Sequence, residues 1–136
     1  MKTRTKIIIG AIAVVIIAAI AFWLNYQNSV QDYRDMVAGT TYQNIDASLV
    51  PDGVYIGEYN VDFIYAKVSV TVTDGNIVSI ELLEHRNDRG ASAEGIIDEI
   101  VAQQKIDVDA ISGATNSSTV IKKAVDNALT NALAEQ

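Results

Sequence analysis

The stretch Asp62–His85 reads DFIYAKVSVTVTDGNIVSIELLEH, and apolar and polar residues alternate along both of its halves. Alternation with a period of two is the pattern of a β-strand that buries one face. The two halves meet at Asp74-Gly75, a pair that favours a two-residue hairpin turn with positive φ. The stretch therefore predicts an antiparallel hairpin. The residues of its apolar face are Ile64, Ala66, Val68, Val70 and Val72 in the first strand and Val78, Ile80 and Leu82 in the second.

The segments on either side of this hairpin extend the prediction to a whole domain. Upstream, Pro51-Asp52-Gly53 is a turn signal, and GVYIGEY (residues 53–59) predicts a further strand. Downstream, apolar residues recur with helical spacing in residues 93–104, where Ser92 is a candidate N-cap, and again in residues 120–133. Strands followed by helices predict an α+β domain, in which a small antiparallel sheet packs against two helices.

The N-terminal segment Ile7–Leu24 contains 18 residues without a charge. A helix of this length spans about 27 Å, close to the thickness of a bilayer hydrocarbon core, so the segment predicts a transmembrane helix before the domain. Trp23 and Tyr26 lie at its end, where aromatic residues favour the membrane interface. A cleaved signal peptide is the alternative, since Ala19-Ile20-Ala21 resembles a cleavage site. The length of the apolar run and the bulky residues that end it favour a retained anchor.

The charges are distributed unevenly along the chain. Lys2, Arg4 and Lys6 are the only charged residues among the first 31, whereas the remainder carries 7 basic and 17 acidic residues. The positive-inside rule predicts that the N-terminus lies in the cytoplasm and that the chain from Asn25 onward lies outside it. An acidic body repels phosphate groups, so the sequence predicts no nucleic-acid partner.

The sequence offers few residues for hydrolytic or metal chemistry. It contains no cysteine, which excludes disulfides and thiolate metal sites, and its single histidine, His85, cannot form a His-rich metal site. No G-x-S-x-G elbow surrounds a serine, and phosphate-loop and dinucleotide fingerprints are absent. We therefore predict no metal site and no catalytic residue, and we interpret His85 as a strand-end residue partly in water.

These observations divide the chain into three segments. Residues 1–24 are predicted to form a cytoplasmic stub and transmembrane anchor, residues 25–50 a juxtamembrane stalk and linker, and residues 51–136 the folded domain. Within the second segment, residues 25–38 have the spacing of a short helix, and residues 39–50 are predicted to be a linker.

The segment VDAISGATNSSTVIKK, Val108–Lys123, places five hydroxyl side chains around Gly113, just before the last predicted helix. A single N-cap explains one of them, and Ser117 or Ser118 is the candidate. A helix N-terminus also carries a partial positive charge and N–H donors, which favour a phosphate group. The residues alone therefore leave open a plain helix cap and a phosphoryl-ligand site at Thr115.

Asp109–Thr115 reads DAISGAT and fits every fixed position of a motif that consists of Asp, two variable residues, Ser or Thr, and Gly-Ala-Thr. At these residues the sequence resembles the FMN-binding domain family, which includes the C subunit of the Na⁺-translocating NADH:quinone reductase and the G subunit of the Rnf complex. The resemblance extends from VPDGVYIGEY through the hairpin to VIKKAV, over about residues 50–134. One departure is NVDFIYA, which stands where several relatives carry a Gly-rich stretch.

The resemblance implies that FMN is the cofactor and that the Thr115 hydroxyl forms a phosphoester with its phosphate. A dedicated flavin transferase would make this bond from FAD outside the cytoplasm and would recognise Asp109 and the motif around it. The other residues that the resemblance places at the flavin are Ser112, Gly113, Ala114 and Asn116 near Thr115, and Gly53, Tyr55 and His85 at matching positions of the ring pocket. For Tyr55, packing against the flavin ring and filling the core are both open.

The resemblance and the predicted topology together imply an extracytoplasmic, membrane-anchored electron-transfer flavoprotein. Such a protein would pass electrons from a donor in the membrane to an acceptor outside the cytoplasm. It would be a carrier or a component of a redox complex rather than a free-standing enzyme. The alternatives are a non-catalytic anchored interaction module of the same fold and a protein that binds FMN without a covalent bond.

Overall fold

The computed structural model describes residues 2–86 and 91–135, with only the backbone at Ala91. The chain forms two compact units, Met1–Asp35 and Met36–Gln136. Helix α1 covers Lys2–Ala38, is long and apolar enough to cross a membrane, and buries none of its side chains. The predicted anchor helix and the predicted stalk helix are therefore one continuous helix. Its insertion into a bilayer and its direction there stay predictions.

The second unit is an α+β fold, as predicted. Its sheet contains three antiparallel strands in the order β1 (Gly53–Asn60), β2 (Tyr65–Thr73) and β3 (Asn76–Arg86). The α-helices of this unit are α2 (Ile96–Gln103) and α3 (Thr115–Ala134), and two short 3₁₀ helices cover Ala47–Leu49 and Ala91–Gly95. Helix α3 packs against β1 and β2, and α2 packs against β3. The small antiparallel sheet with two helices is thus confirmed.

The hairpin between β2 and β3 forms as predicted. Asp74 has a φ of 51° and Gly75 a φ of 74°, which is the left-handed backbone that an Asp-Gly turn favours. The predicted apolar face of the first strand is buried, and complete burial of an aliphatic side chain contributes about 1.5–3 kcal/mol. The residues of this face, each at most 4% exposed, are Ile64, Ala66, Val68, Val70 and Val72.

The prediction for the apolar face of β3 is wrong at Val78. A β-bulge interrupts the pairing of β2 with β3 and makes Ile77 the partner of Val72. Since the extra residue of a bulge shifts the alternation by one position, Ile77 is buried and Val78 is 50% exposed. Ile80 and Leu82 pair with Val70 and Val68, so they stay on the inner face, as predicted.

Helix α3 lies along β1 and runs in the opposite direction. Asn131 Nδ2 donates to Ile56 O at 3.1 Å, and Asn127 Nδ2 donates to Glu58 O at 2.9 Å. Strand β1 is an edge strand, and these two asparagines satisfy carbonyl groups that would otherwise be open to another chain. Because later helix residues contact earlier strand residues, the N-terminus of α3 lies beside the end of β1.

The opposite edge of the sheet, strand β3, is bound by Gln104, the residue directly after α2. Gln104 has a φ of 54°, and its side-chain amide accepts from Ile77 N and donates to Ile77 O, each at 2.8 Å. One side chain thus forms both of the hydrogen bonds that a neighbouring strand would make with Ile77. The contact fixes the end of α2 against the start of β3.

We expect Gln104→Ala to lower the free energy of unfolding by about 1–2 kcal/mol, because two hydrogen bonds to the backbone of β3 are lost. Urea denaturation of the full chain measures this change. Gln103→Ala is the control, since the Gln103 side chain is exposed and, among the described residues, its hydrogen-bond partner is Glu99 one turn earlier. A change within about 0.5 kcal/mol is expected there. Equal losses in the two variants would contradict the edge role of Gln104.

Residues 40–46, which we call the strap, follow α1 and pack against α3. Asp126 in α3 is fully buried, and its carboxylate accepts from Gln43 N at 2.9 Å and from Asn44 N at 3.0 Å. Lys123 Nζ lies 3.0 Å from the same carboxylate. A buried charge requires partners of this kind. The segment predicted as a linker is therefore held on the folded domain along the strap.

Candidate functional site

Residues 107–114, which we call the motif loop, lead into α3. Val108 is buried and anchors the beginning of the loop. The loop ends in a tight turn, in which Ala114 N donates to Ile111 O at 3.0 Å and Gly113 has a φ of 80°. A left-handed φ at the third position of a turn favours glycine. A Cβ on Gly113 would meet no atom within 4 Å, so backbone conformation rather than space requires this glycine.

The predicted serine cap of α3 is wrong. Helix α3 begins at Thr115, and its N-cap residue is Ala114, which has no side-chain hydrogen bond to offer. Ser117 and Ser118 are buried within the first turn, because the helix starts earlier than a serine cap requires. Ser118 Oγ accepts from Ile111 N at 3.0 Å and donates to Ala114 O at 2.8 Å. The serine therefore holds the motif loop against the helix.

Thr115 is exposed at the first position of α3. Its carbonyl oxygen accepts from Thr119 Oγ1 at 3.0 Å, whereas its own hydroxyl has no hydrogen-bond partner among the residues that the structure describes. The first turn contains no acidic residue. A helix N-terminus carries about +0.5 of an elementary charge on its N–H groups. The Thr115 hydroxyl therefore lies where an anion is stabilised and where a reagent has access.

Most of the predicted site residues around Thr115 are exposed. Ala114 is the exception, since it is 5% exposed and its methyl group packs into the domain. The exposed members are Asp109, Ser112, Gly113, Thr115 and Asn116. The structure thus brings these predicted site residues together at the start of α3. The Thr115 hydroxyl and the Asp109 carboxylate are both open to solvent.

Lys122 joins the motif loop to α3. Its side chain is 8% exposed, and its Nζ lies 2.9 Å from Val108 O and 3.3 Å from Asp107 Oδ1. The same ammonium group lies 5.0 Å from the centroid of the Tyr42 ring, which is a cation–π contact. Burial raises the pKa of Tyr42 above 10.0, and its hydroxyl donates to Thr119 O at 3.4 Å. The Tyr42 side chain therefore stays neutral beside the lysine at physiological pH.

The prediction that His85 is partly in water is wrong. A second bulge in β3 puts Glu84 opposite Lys67 on the outer face and His85 opposite Ala66 on the inner face of the sheet. The side chain is 2% exposed, and Nδ1 lies 3.1 Å from Oε1 of Glu94. His85 is near the end of β3. In the antiparallel sheet, this end of β3 is on the same side as the end of β1, beside which α3 begins. It therefore shares one end of the domain with Thr115.

Gly53 and Tyr55 lie at the other end of β1. Tyr55 covers Gly53, since a Cβ on this glycine would lie 3.1 Å from the ring carbon Cζ. The neighbouring Ile56 accepts a hydrogen bond from Asn131, and Asn131 follows Thr115 by about 24 Å along the axis of α3. The structure therefore does not bring these two predicted pocket residues to Thr115.

Sequence reasoning misses three residues that hold the strap or the motif loop on α3: Tyr42, Lys122 and Asp126. The two charged residues occupy polar positions of the predicted last helix, and such positions usually face solvent. The strap covers this face and buries both of them. Tyr42 itself lies in the predicted linker. No local signal reveals the contacts, because their partners lie far apart in the chain.

Residues 64–130 match the sequence model of the FMN-binding domain family. The match begins just before β2 and ends within α3, so it contains the hairpin, the motif loop and Thr115. It confirms the resemblance stated from the motif. No curated protein and no solved structure matches the chain.

Proposed function

Residues 64–130 belong to the FMN-binding domain family, and on this basis we propose that the protein is a membrane-anchored electron carrier with FMN joined through a phosphoester to Thr115. The observation that carries the proposal is the complete motif at Asp109–Thr115, whose threonine hydroxyl is exposed and without a partner among the described residues. FMN as the cofactor follows from the family. The covalent bond and the electron-transfer role are the proposal.

The residues at the start of α3 fit a phosphate group. A phosphodiester keeps one negative charge, and α3 has an alanine at its N-cap and no acidic residue in its first turn. The interaction of such an anion with the helix dipole contributes about 0.3–1 kcal/mol. This is too little to retain a flavin in a dilute external medium. A covalent bond to Thr115 would retain the flavin without tight non-covalent binding.

Thr115 would contribute the oxygen atom of the phosphoester. With FAD as the donor, the bond between the two phosphates breaks, AMP leaves, and the hydroxyl proton passes to a base of the flavin transferase. Asp109 and Ser112, both exposed on the motif loop, are the side chains that we assign to recognition by this transferase. The attached FMN would supply reversible one- and two-electron redox chemistry. The protein holds the group and sets its surroundings.

Helix α1 would anchor the carrier with its N-terminus in the cytoplasm, because Lys2, Arg4 and Lys6 precede the apolar run. The second unit then lies outside the cytoplasm. Its electron donor would be a membrane redox protein, and its acceptor an extracytoplasmic molecule or partner. This arrangement agrees with a maturation enzyme that works outside the cytoplasm.

The proposal is tested on the full chain, produced with and without a flavin transferase. We expect flavin fluorescence on a denaturing gel and one FMN-sized mass increase only when the transferase is present. Cleavage after Lys105 and Lys122 releases residues 106–122, and this peptide should carry the added mass. A flavin that binds but is released by denaturation would show a non-covalent FMN protein. A colourless protein would support the alternative function, a non-catalytic anchored interaction module.

A further inference from the structure

Lys122 is a buried cation to which the proposed function gives no role. Among the described residues, the ionic partner of its ammonium group is Asp107, whose side chain is 64% exposed. The remaining contacts are the Val108 carbonyl at 2.9 Å and the ring of Tyr42. A charge removed from water is costly unless such partners replace its hydration. The position of this lysine is therefore determined by the two segments that it touches, the motif loop and the strap.

The strap is itself fixed to α3 on both sides of Lys122. Toward the C-terminus, the buried Asp126 accepts two backbone N–H groups of the strap. Toward the N-terminus, the Tyr42 hydroxyl donates to Thr119 O at 3.4 Å, one turn after Thr115. These contacts hold the Tyr42 ring against the ammonium group of Lys122. The strap in turn follows directly from α1.

Two contacts define the shape of the motif loop. Lys122 holds the carbonyl group of Val108, the residue directly before Asp109. Ser118 holds the N–H group of Ile111, directly before Ser112. The exposed recognition side chains therefore lie next to residues that are anchored on α3. The contact of Lys122 with Val108 therefore restrains the adjacent Asp109.

We propose that Lys122 is a positioning residue for flavin attachment: by joining the Val108 carbonyl to the Tyr42 ring, it holds Asp109 and Thr115 in the arrangement that a flavin transferase recognises. The inference rests on the proposed attachment at Thr115 and adds to it. It also makes the strap, which lies outside the family match at residues 64–130, part of the site.

The test measures the initial rate of covalent attachment to purified full-length protein with purified transferase and FAD. We expect Lys122→Met to lower kcat/KM for the protein substrate by about tenfold or more, because small displacements of reacting groups have effects of this order. Lys122→Arg, which keeps the cation, should recover part of this loss. Lys105→Met is the matched control, since it removes the same charge from an exposed residue and should leave the rate unchanged.

The Tyr42 ring provides a second, independent variant. Tyr42→Phe keeps the ring, and its rate of attachment should stay within about twofold of wild type. Tyr42→Leu removes the ring, and its rate should be lowered as in Lys122→Met. In the double variant Lys122→Met/Tyr42→Leu, the two losses should not add, as expected for residues in contact. Thermal denaturation identifies variants that are merely less stable, because a structural role lowers Tm without changing the rate of the folded protein.

The outcomes separate this inference from the proposed function. If wild type acquires no covalent flavin, both fail. If wild type is modified and folded Lys122→Met reacts at the same rate, the positioning role is overturned and attachment at Thr115 stands. If Lys122→Met does not fold, Tyr42→Leu decides: an unchanged rate overturns the role of the strap, and a slower rate with unchanged Tm supports it.

Discussion

Thr115→Ala should carry no covalent flavin after co-expression with a flavin transferase. The substitution removes the oxygen atom that forms the phosphoester, and loss of a nucleophile lowers a reaction rate by far more than about a hundredfold. Thr115 is exposed and its hydroxyl makes no hydrogen bond to a described residue. Stability should therefore change by less than about 0.5 kcal/mol. Fluorescence on a denaturing gel and intact mass measure the attachment, and thermal denaturation confirms the fold.

Two further variants make the prediction specific to this hydroxyl. Thr115→Ser keeps the oxygen atom and should retain measurable attachment. Thr119→Ala removes a hydroxyl one turn later, which donates to Thr115 O, and attachment should persist. A full adduct in Thr115→Ala would show that another residue carries the flavin. Ser112 would then be the next candidate, because it is the other exposed hydroxyl of the motif.

Gly57→Ala should lower the free energy of unfolding by about 3 kcal/mol or more, and Gly57→Val should prevent folding. Gly57 is buried in β1 under α3, and a Cβ at this position would overlap Ala124 O and Ala128 N and lie 2.8 Å from Ala128 Cα. These are backbone atoms of the helix, so they cannot rotate away as a side chain would. A loss of this size is a large part of the roughly 5–15 kcal/mol that stabilises a typical domain.

Gly95→Ala is the matched control for this prediction. Gly95 has a φ of −64° and a ψ of −15°, and an added Cβ would meet no atom within 4 Å. Its free energy of unfolding should stay within about 0.5 kcal/mol of wild type. Chemical denaturation of both variants measures the difference. If Gly57→Ala were as stable as Gly95→Ala, α3 would not approach β1 as closely as the structure places it.

The fold was predictable where the signal is local. Apolar residues two positions apart identified the inner face of β2, and Asp74-Gly75 identified the turn that follows it. The same rule failed at Val78, because a bulge inserts one residue and reverses the alternation beyond it. The second bulge similarly brings His85 into the core, where the sequence placed it partly in water.

The candidate site was predictable as a motif but not as a structure. The seven residues Asp109–Thr115 identified the family, and the match over residues 64–130 agrees with them. The cap prediction failed because Ser118 has two partners in the motif loop, and hydroxyl residues near a helix start do not show which group they bond. The pocket residues Gly53 and Tyr55 followed from position in the family pattern, and in the structure they lie far from Thr115.

The sequence by itself determined the hairpin, the helical segments and the motif Asp109–Thr115, because each depends on residues within a few positions of one another. Only the tertiary structure decided that Gly57 has no room for a side chain and that Lys122 and Asp126 are buried. These properties depend on packing between distant segments: Gln43 and Asp126 are 83 positions apart, and Ile56 and Asn131 are 75 apart. A polar face of a helix faces solvent by default, and here it is buried because the strap covers it.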